Sequence, residues 1–415
     1  MPNLFNSTTQ CRVCSHTSFT SILNFGDVAL TGVFNQDGTK VQKCPLHLVR
    51  CDSCGLAQLA NTYDLAKLYG PSYGYESHLN KSMREHLQRK ARVLELKYLS
   101  QITSPVVVDI ASNDGTLLSG YTANLGTRLG IDPLIANLSD YYPEDAIKIS
   151  SFFSKEAYFN SYDKKANLVT SLSVLYDLDD PERFISDVFA ILEDGGIWHF
   201  EQSYLPTMVE TNSYDTICHE HLLYFTLHDL KSILERVGFK ITDASLNAIN
   251  GGSIAITAIK SKSDIAISPY VEYLLDLEIR KGYRTDKALK DFAQKALDHR
   301  EELSELIDKY VHAGYKVVGL GASTKGNVLL QWLNISRGVI QAIGDINKKK
   351  FGNQCPGTGI PIVSEKLIIQ EADGHTVALV LPWHFRESIT ENCEEFLVNG
   401  GQLLFPLPNI QVVAN

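Results

Sequence analysis

Two C-x-x-C pairs, Cys11-Arg-Val-Cys14 and Cys51-Asp-Ser-Cys54, constrain the fold of this chain more than any other feature. Each knuckle turns two sulfurs onto one point, and two knuckles make the tetrahedral thiolate shell that zinc prefers. All four positions are then filled by protein. The expected ion therefore staples a small domain, and the chemistry lies elsewhere. A redox C-x-x-C would sit in a βαβ setting, which this stretch lacks. The metal set is Cys11, Cys14, Cys51 and Cys54, with Cys44 and His47 close by as substitute ligands; Cys355 and Cys393 read as buried thiols.

The 415 residues suffice for two or three cores. Net charge is -10 and no lysine-arginine block stands out, so the electrostatic footprint of a nucleic-acid binder is missing. The first ten residues lack the basic and apolar regions of a signal peptide, and no apolar run approaches a membrane span. A cytoplasmic, soluble monomer or weak oligomer acting on a small molecule is the expectation.

Residues 65–77 break the chain with glycine and proline, and Lys81 to Leu99 fits an amphipathic helix. From Pro105 strands and helices alternate, as in a doubly wound parallel sheet. Val106-Val-Val-Asp-Ile110 runs into the small polar loop Ala111-Ser-Asn-Asp-Gly115 and a helical Thr116–Tyr121. A second strand, Arg128 to Asp132, ends in an acid positioned for ribose hydroxyls. With one glycine in the loop, no pyrophosphate need be approached by bare backbone, and the pattern suits S-adenosylmethionine better than NAD. The expected cofactor set is Asp109, Ala111, Ser112, Asn113, Gly115, Asp132, Pro133 and Ser173. Strands follow at 166–175 and 196–202, with a pair at 239–246 and 252–259. Residues 269–312 read as one helical bridge. A second α/β unit opens at Tyr315-Lys-Val-Val-Gly-Leu-Gly-Ala-Ser-Thr-Lys-Gly326, with a strand over 339–345 and further strands at 376–381 and 402–405.

Between these regions lies Cys218-His219-Glu220-His221, where four proton-transfer groups adjoin one another. Two histidines around a carboxylate concentrate groups that titrate near neutrality, as enolisation or other acid–base chemistry needs. The spacing is not H-E-x-x-H, which excludes a zinc protease.

The motif order, C-x-x-C knuckles, Tyr73-Gly-Tyr75-Glu-Ser77, Ala111–Gly115, Asp215-Thr-Ile-Cys-His-Glu-His221, Gly251-Gly-Ser253 and Pro356-Gly-Thr-Gly-Ile-Pro361, resembles the three-domain S-adenosylmethionine-dependent C-methyltransferases of nucleotide-linked deoxysugars. The resemblance spans essentially the whole chain. It implies a zinc-binding domain over 1–65, an S-adenosylmethionine-binding α/β methyltransferase domain over 66–262, and a second Rossmann-like α/β domain over 263–415 that helps hold the nucleotide diphosphate sugar. The implied reaction methylates C-3' of a 4-keto-6-deoxysugar. His221 would be the base, Glu220 and His219 would orient the sugar or tune His221, and Tyr75 would meet the sugar. Cys218 and Asp177 complete the catalytic set, and Tyr73, Asn250, Ser253, Lys325 and Asp345 form the substrate set. Cys218 stands where the family has tyrosine, and Asp177 and Asn250 stand where it has histidine. These changes cluster around the reacting sugar and leave cofactor binding intact. Other readings are a sugar O-methyltransferase, an NAD-dependent nucleotide-sugar oxidoreductase using the C-terminal glycine turn, and a zinc-stabilised binding module.

Overall fold

The computed structural model describes residues 4–64, 68, 75–261 and 266–415. Its contacts divide the chain into a middle-chain unit, Tyr75–Tyr204 with Phe225–Lys281, and a composite unit, Met1–Gly74 with Leu205–Tyr224 and Gly282–Asn415. The segment that carries the His-Glu-His cluster thus belongs with the cysteine-bearing and C-terminal regions, although it follows a strand of the middle-chain sheet.

The middle-chain unit is a seven-stranded sheet in the order Phe239–Asn247, Ser253–Lys260, Leu192–Ser203, Ala166–Leu172, Val106–Ile110, Thr127–Ile131, Ile147–Ile149. Only Ser253–Lys260 runs antiparallel to its neighbours. Val106–Ile110 sits centrally and is buried at all five residues, as a parallel strand covered on both faces must be. The strand order reverses beside it, which opens the crevice where such sheets bind ligands. The helix Lys81–Leu94 starts at Asn80, whose side chain accepts from Ser82 N at 2.9 Å and Met83 N at 3.2 Å. It buries Met83, Leu87, Ala91 and Leu94 in the core with Val107, Leu118 and Leu168. Truncating Leu87 to alanine there should cost about 2–5 kcal/mol through lost burial and the cavity left.

The composite unit holds two sheets. The antiparallel one is ordered Leu223–Tyr224, Ala57–Leu59, Lys43–Cys51, Phe19–Ala29. The other is ordered Ile362–Ser364, Ile343–Asp345, Lys316–Leu320, Thr376–Val380, Gln402–Phe405, Gln411–Val413, parallel except for its last strand. Both α/β sheets and the cysteine region match the expected architecture. No described helix is long and apolar enough to cross a membrane.

Three local expectations need correction. The bridge at 269–312 is two helices, Pro269–Lys281 and Asp286–His312. Gly282, at φ 68, stops the first, and Thr285 caps the second by accepting from Ala288 N. The helical run after the cofactor loop shrinks to one 3-10 turn, Leu118–Gly120, because the chain turns extended at Tyr121. The strand expected over 339–345 is only Ile343–Asp345; Ser336 O instead accepts from Val339 N and Ile340 N in a turn.

Candidate functional site

The four cysteines come together as their spacing implies: their sulfurs all lie within 4.8 Å of one another. Cys11 and Cys54 are 3.6 Å apart, and Cys14 and Cys51 are 3.5 Å apart. Those are the edges of a tetrahedron around a zinc ion with sulfur ligands at about 2.3 Å. A hydrogen bond from Cys54, working against burial, already draws the Cys11 thiol down to about 5. The site fits zinc and has no place for a reactant.

The cofactor loop in the middle-chain unit is strained and acidic. Ala111 (φ 55), Asn113 (φ 50) and Gly115 (φ 80) adopt left-handed backbone at the end of the first strand, and Ser173 (φ 60) does so at the end of its neighbour. Such strain in non-glycine residues persists where a binding geometry is held in place. A Cβ on Gly115 would lie 2.7 Å from the Tyr142 ring, and Tyr142 O–H props the loop through Asn113 O at 3.1 Å. Asp132 accepts from Asn113 N at 2.9 Å and Leu134 N at 2.7 Å. Asp109 accepts from Thr170 Oγ1 at 2.6 Å, and burial pushes its carboxyl up to about 7. Asp114 is buried, bound by His78 N at 2.9 Å and His78 Nδ1 at 2.8 Å. The acids around this loop favour a ligand that brings positive charge, as the sulfonium and ammonium of S-adenosylmethionine do, over a pyrophosphate.

Residues 75–78 are fastened to the same loop: Asn113 Nδ2 donates to Tyr75 O at 3.2 Å, and Ser77 N donates to Asn113 Oδ1 at 3.1 Å. Tyr75 is 44% exposed beside them. Asp177 ends the 3-10 turn Leu175–Asp177 beyond the strand Ala166–Leu172. Asn250 sits left-handed in the turn Ile249–Gly251, and Ser253 Oγ donates to Ile249 O at 2.9 Å, holding that turn. Pro133 follows Asp132 in the loop after the second strand. Tyr73 lies outside the described residues.

The proton-handling cluster is built within the composite unit from four stretches. The turn Tyr214–Thr216 leads into it. His221 Nδ1 lies 2.9 Å from Thr216 O. A carbonyl only accepts, so Nδ1 carries the proton and the neutral ring keeps its lone pair on Nε2. Burial, then the charge of Lys325, pushes His221 down to about 3, against the Thr216 bond. The ring is therefore held neutral. Glu220 is buried and accepts from Thr31 Oγ1 at 3.2 Å; burial raises its carboxyl above the usual range. Gly32 packs so tightly that a Cβ would collide with Glu220 Oε1. The helix Thr324–Trp332 joins the same stretch, Asn327 Nδ2 donating to Thr31 O at 2.7 Å.

His219 does something else. It is fully buried, stacked edge-on to Tyr63 with centroids 4.7 Å apart, and its Nε2 lies 3.5 Å from Cys44 O. Cys218 is fully buried and bonded to Glu220. The structure thus brings Cys218 and Glu220 together beside His221 in the sequence, joins the helix Thr324–Trp332 that carries Lys325 to the Thr31 stretch through Asn327, and turns His219 to the cysteine-bearing sheet. It places Asp345 at the end of the strand Ile343–Asp345 of the other α/β sheet, accepting from Ala322 N at 2.9 Å and Asn347 N at 2.7 Å, with Lys350 Nζ 3.3 Å away.

Sequence reasoning missed Asp215, Trp383 and His384. Trp383 Nε1 donates to Asp215 Oδ2 at 2.7 Å, both residues being buried. Asp215 Oδ1, Asn327 Oδ1 and His384 Nδ1 are buried with no hydrogen-bond partner among the described residues. Such buried polar atoms are normally met by water, an ion or a ligand. The available signal was positional: Pro382-Trp-His-Phe385 lies just past a parallel strand end, where ligand residues gather.

Three family models match the chain in succession: "Putative zinc binding domain" over residues 11–69, "Methyltransferase domain" over 79–244, and "C-methyltransferase C-terminal domain" over 248–408. The chain is 28% identical to C-methyltransferase NovU of Streptomyces niveus over 422 aligned positions, covering 100% of this chain and 99% of the relative. Among solved structures, magnesium protoporphyrin IX methyltransferase of Synechocystis with bound SAH is 14% identical, covering 44% of this chain and 88% of that one at TM-score 0.31. N-methyltransferase NodS of Bradyrhizobium japonicum, in complex with S-adenosyl-l-homocysteine, is 14% identical with the same coverage at TM-score 0.33. From the cysteine knuckles to residue 408 the chain is thus similar to zinc-binding and C-methyltransferase domains, with one relative matched end to end, and these matches support an S-adenosylmethionine-dependent C-methyltransferase.

Proposed function

We propose that the chain methylates carbon C-3' of a nucleotide-linked 4-keto-6-deoxysugar, in the making of a branched deoxysugar. The observation that carries this reading is the neutral, half-buried His221, its proton fixed on Nδ1 toward Thr216 O. S-adenosylmethionine supplies an electrophilic methyl, so the chain's own task is to make a carbon nucleophile. A hydrogen beside a ketone is acidic enough to be removed by an imidazole when the developing oxyanion is met by a positive group. His221 Nε2 takes that proton. Glu220, fastened by Thr31 and packed against Gly32, orients the sugar hydroxyls. Asp109, Asp114 and Asp132 hold the positively charged end of the methyl donor and its ribose. Cys218 contributes a hydrogen bond to Glu220, not a nucleophile, since a thiolate beside a methyl sulfonium would itself be methylated.

The test is incubation of the purified protein and S-adenosylmethionine with a panel of nucleotide-linked 4-keto-6-deoxysugars, followed by mass and NMR analysis. A new methyl singlet on a quaternary C-3' is expected. An oxygen-bound methyl, or no methylated sugar across the panel, would overturn the reading.

A further inference from the structure

We propose that His299 and Trp383 are positioning residues for the base: they clamp the turn Tyr214–Thr216 through two separate hydrogen bonds, so that the Thr216 carbonyl holds the His221 ring with its lone pair on Nε2. This deepens the enolate reading proposed above and rests on it.

Tyr214, Asp215 and Thr216 are consecutive, buried, and folded into one 3-10 turn that Ile217 N closes by donating to Tyr214 O at 3.0 Å. Tyr214 reaches the long helix Asp286–His312. Its hydroxyl lies 3.0 Å from His299 Nδ1, and His299 Nε2 lies 2.6 Å from Pro406 O, just past the strand Gln402–Phe405. A carbonyl only accepts, so Nε2 carries the His299 proton and Nδ1 accepts from the tyrosine. The donors therefore run one way, from Tyr214 through His299 to Pro406. Asn212, two residues before the turn, adds a bond to the same helix, its Nδ2 donating to Lys295 O at 3.3 Å. Asp215 is tied elsewhere: Trp383 Nε1 donates to its Oδ2 at 2.7 Å from the turn Trp383–Phe385, beyond the strand Thr376–Val380. Two neighbouring side chains of one turn thus have different anchors, which restrains the turn against both sliding and rotation.

The third residue of the turn passes that restraint on. Thr216 O lies 2.9 Å from His221 Nδ1, and His221 N donates to Cys218 O at 3.1 Å, so the ring and its own backbone are both tied within the same loop. An imidazole base works only in the tautomer that leaves its acceptor nitrogen to the substrate, and another group must hold it there. Here that group is a backbone carbonyl, which no side-chain substitution at Thr216 can remove. Its placement is instead controlled by the two tethers. A shift of about 1 Å would let the ring turn or move its proton to Nε2, and a misplacement of that size costs about 10²-fold in rate.

The experiment compares full-length, zinc-loaded wild type with Trp383→Phe, Tyr214→Phe, Asp215→Asn and Asp215→Ala. Steady-state kinetics use the panel sugar that the wild type methylates, and nitrogen NMR of histidine-labelled protein reads the tautomer of His221, whose signals are those lost in His221→Ala. Trp383→Phe should lower kcat about 10- to 100-fold with KM within about twofold, and the Nε2–H form of His221 should appear. Tyr214→Phe, which cuts the bond to His299, should do the same more weakly, about 3- to 10-fold, because Asn212 still ties the chain to the helix. Asp215→Asn keeps an oxygen for Trp383 and should retain most of the wild-type rate, whereas Asp215→Ala should fall to the level of Trp383→Phe. Bound zinc per chain and the thermal midpoint report folding, and Tyr214→Phe, which deletes a single oxygen, carries the test should Trp383→Phe not fold. A His221 that stays wholly Nδ1–H in the tether variants would overturn the proposal, as would a raised KM with kcat intact or an Asp215→Asn as slow as Asp215→Ala. Failure of the enolate reading would look different: the wild type itself would place no methyl on carbon, while the tautomer comparison could still be read.

Discussion

Asp132 in the seven-stranded sheet and Asp345 in the six-stranded sheet hold the same place, at the end of the second strand, and fasten the first loop in the same way. Asp132 takes Asn113 N at 2.9 Å and Leu134 N at 2.7 Å; Asp345 takes Ala322 N at 2.9 Å and Asn347 N at 2.7 Å. The loops differ in charge. Lys350 Nζ lies 3.3 Å from Asp345 and donates to Ala322 O at 2.7 Å, so that acid is an internal fastening with its charge met. Among the described residues Asp132 has no ion-pair partner, and its neighbours are two further acids, Asp109 and Asp114. One frame, repeated, carries different charge: acids gather around the first loop, and the acid of the second is met by a lysine. The fold sets where a ligand sits, and the side chains on the loop decide its sign.

The largest effect should come from separating the two tasks. His221→Ala should lower methyl transfer by about 10²–10⁴-fold, the usual worth of a positioned base, while cofactor affinity measured by calorimetry stays unchanged. Weakened cofactor binding in that variant would mean that the two α/β units do not divide the work as their charges suggest.

The acidic loop should announce itself through pH. Burial raises Asp109 from 3.8 to about 7 in the folded chain. Its contribution is therefore fully present below pH 3.8 and is lost as pH climbs to about 7, at up to about 1.4 kcal/mol per pH unit. Relative to wild type, Asp109→Asn should gain stability across that window and level off above it, measured by urea unfolding at several pH values. A flat difference would place water or a counter-charge at Asp109 and weaken the contrast with the other loop.

Where the sequence was informative, one residue type carried one physical consequence. The four cysteines had to converge because thiolates in paired knuckles share an ion, and Val106–Ile110 reads as a central strand because four of its five residues are apolar. The acid at the end of each second strand was legible for the same topological reason. What the sequence did not disclose was contact between distant stretches. Nothing local to Asp215 says that Trp383 will donate to it across 168 positions, or that Asn327 will hold Thr31, which in turn holds Glu220. His219 and His221, two residues apart, have similar sequence surroundings, yet one packs on Tyr63 and the other bonds Thr216. Their roles depend on which wall each ring meets. The break at Gly282 was readable in principle, since glycine followed by a threonine cap ends one helix and starts another.

Removing the cation that distinguishes the second loop should cost less than the base but remain large. Lys350 and Asp345 side chains are 14% and 6% exposed, so Lys350→Met leaves a nearly buried carboxylate without its partner. A loss of about 3 kcal/mol is expected, the low end for a broken buried pair, read as a lowered unfolding midpoint. The double variant Lys350→Met with Asp345→Asn should recover part of it, because the orphaned charge is gone. If the single variant were as stable as wild type, the lysine would be a surface ornament and the two loops would be electrostatically alike.

The smallest effect bears most directly on the comparison. If Asp132 accepts from the ribose as proposed, Asp132→Ala should weaken cofactor affinity by about 1.5–3 kcal/mol, the worth of hydrogen bonds to a charged group, which is roughly 10- to 100-fold in Kd. Asp345→Ala removes the equivalent fastening in the other sheet and should leave that Kd unchanged while lowering thermal stability. The pair must be judged together, since Asp132 also holds Asn113 and Leu134 and its loss disturbs the loop. Asp132→Asn keeps an acceptor oxygen and most of the loop's bonds, so it should fall between wild type and alanine. Equal losses of cofactor affinity from the Asp132 and Asp345 variants would show that the fastening, and not the charge, is what the ligand reads.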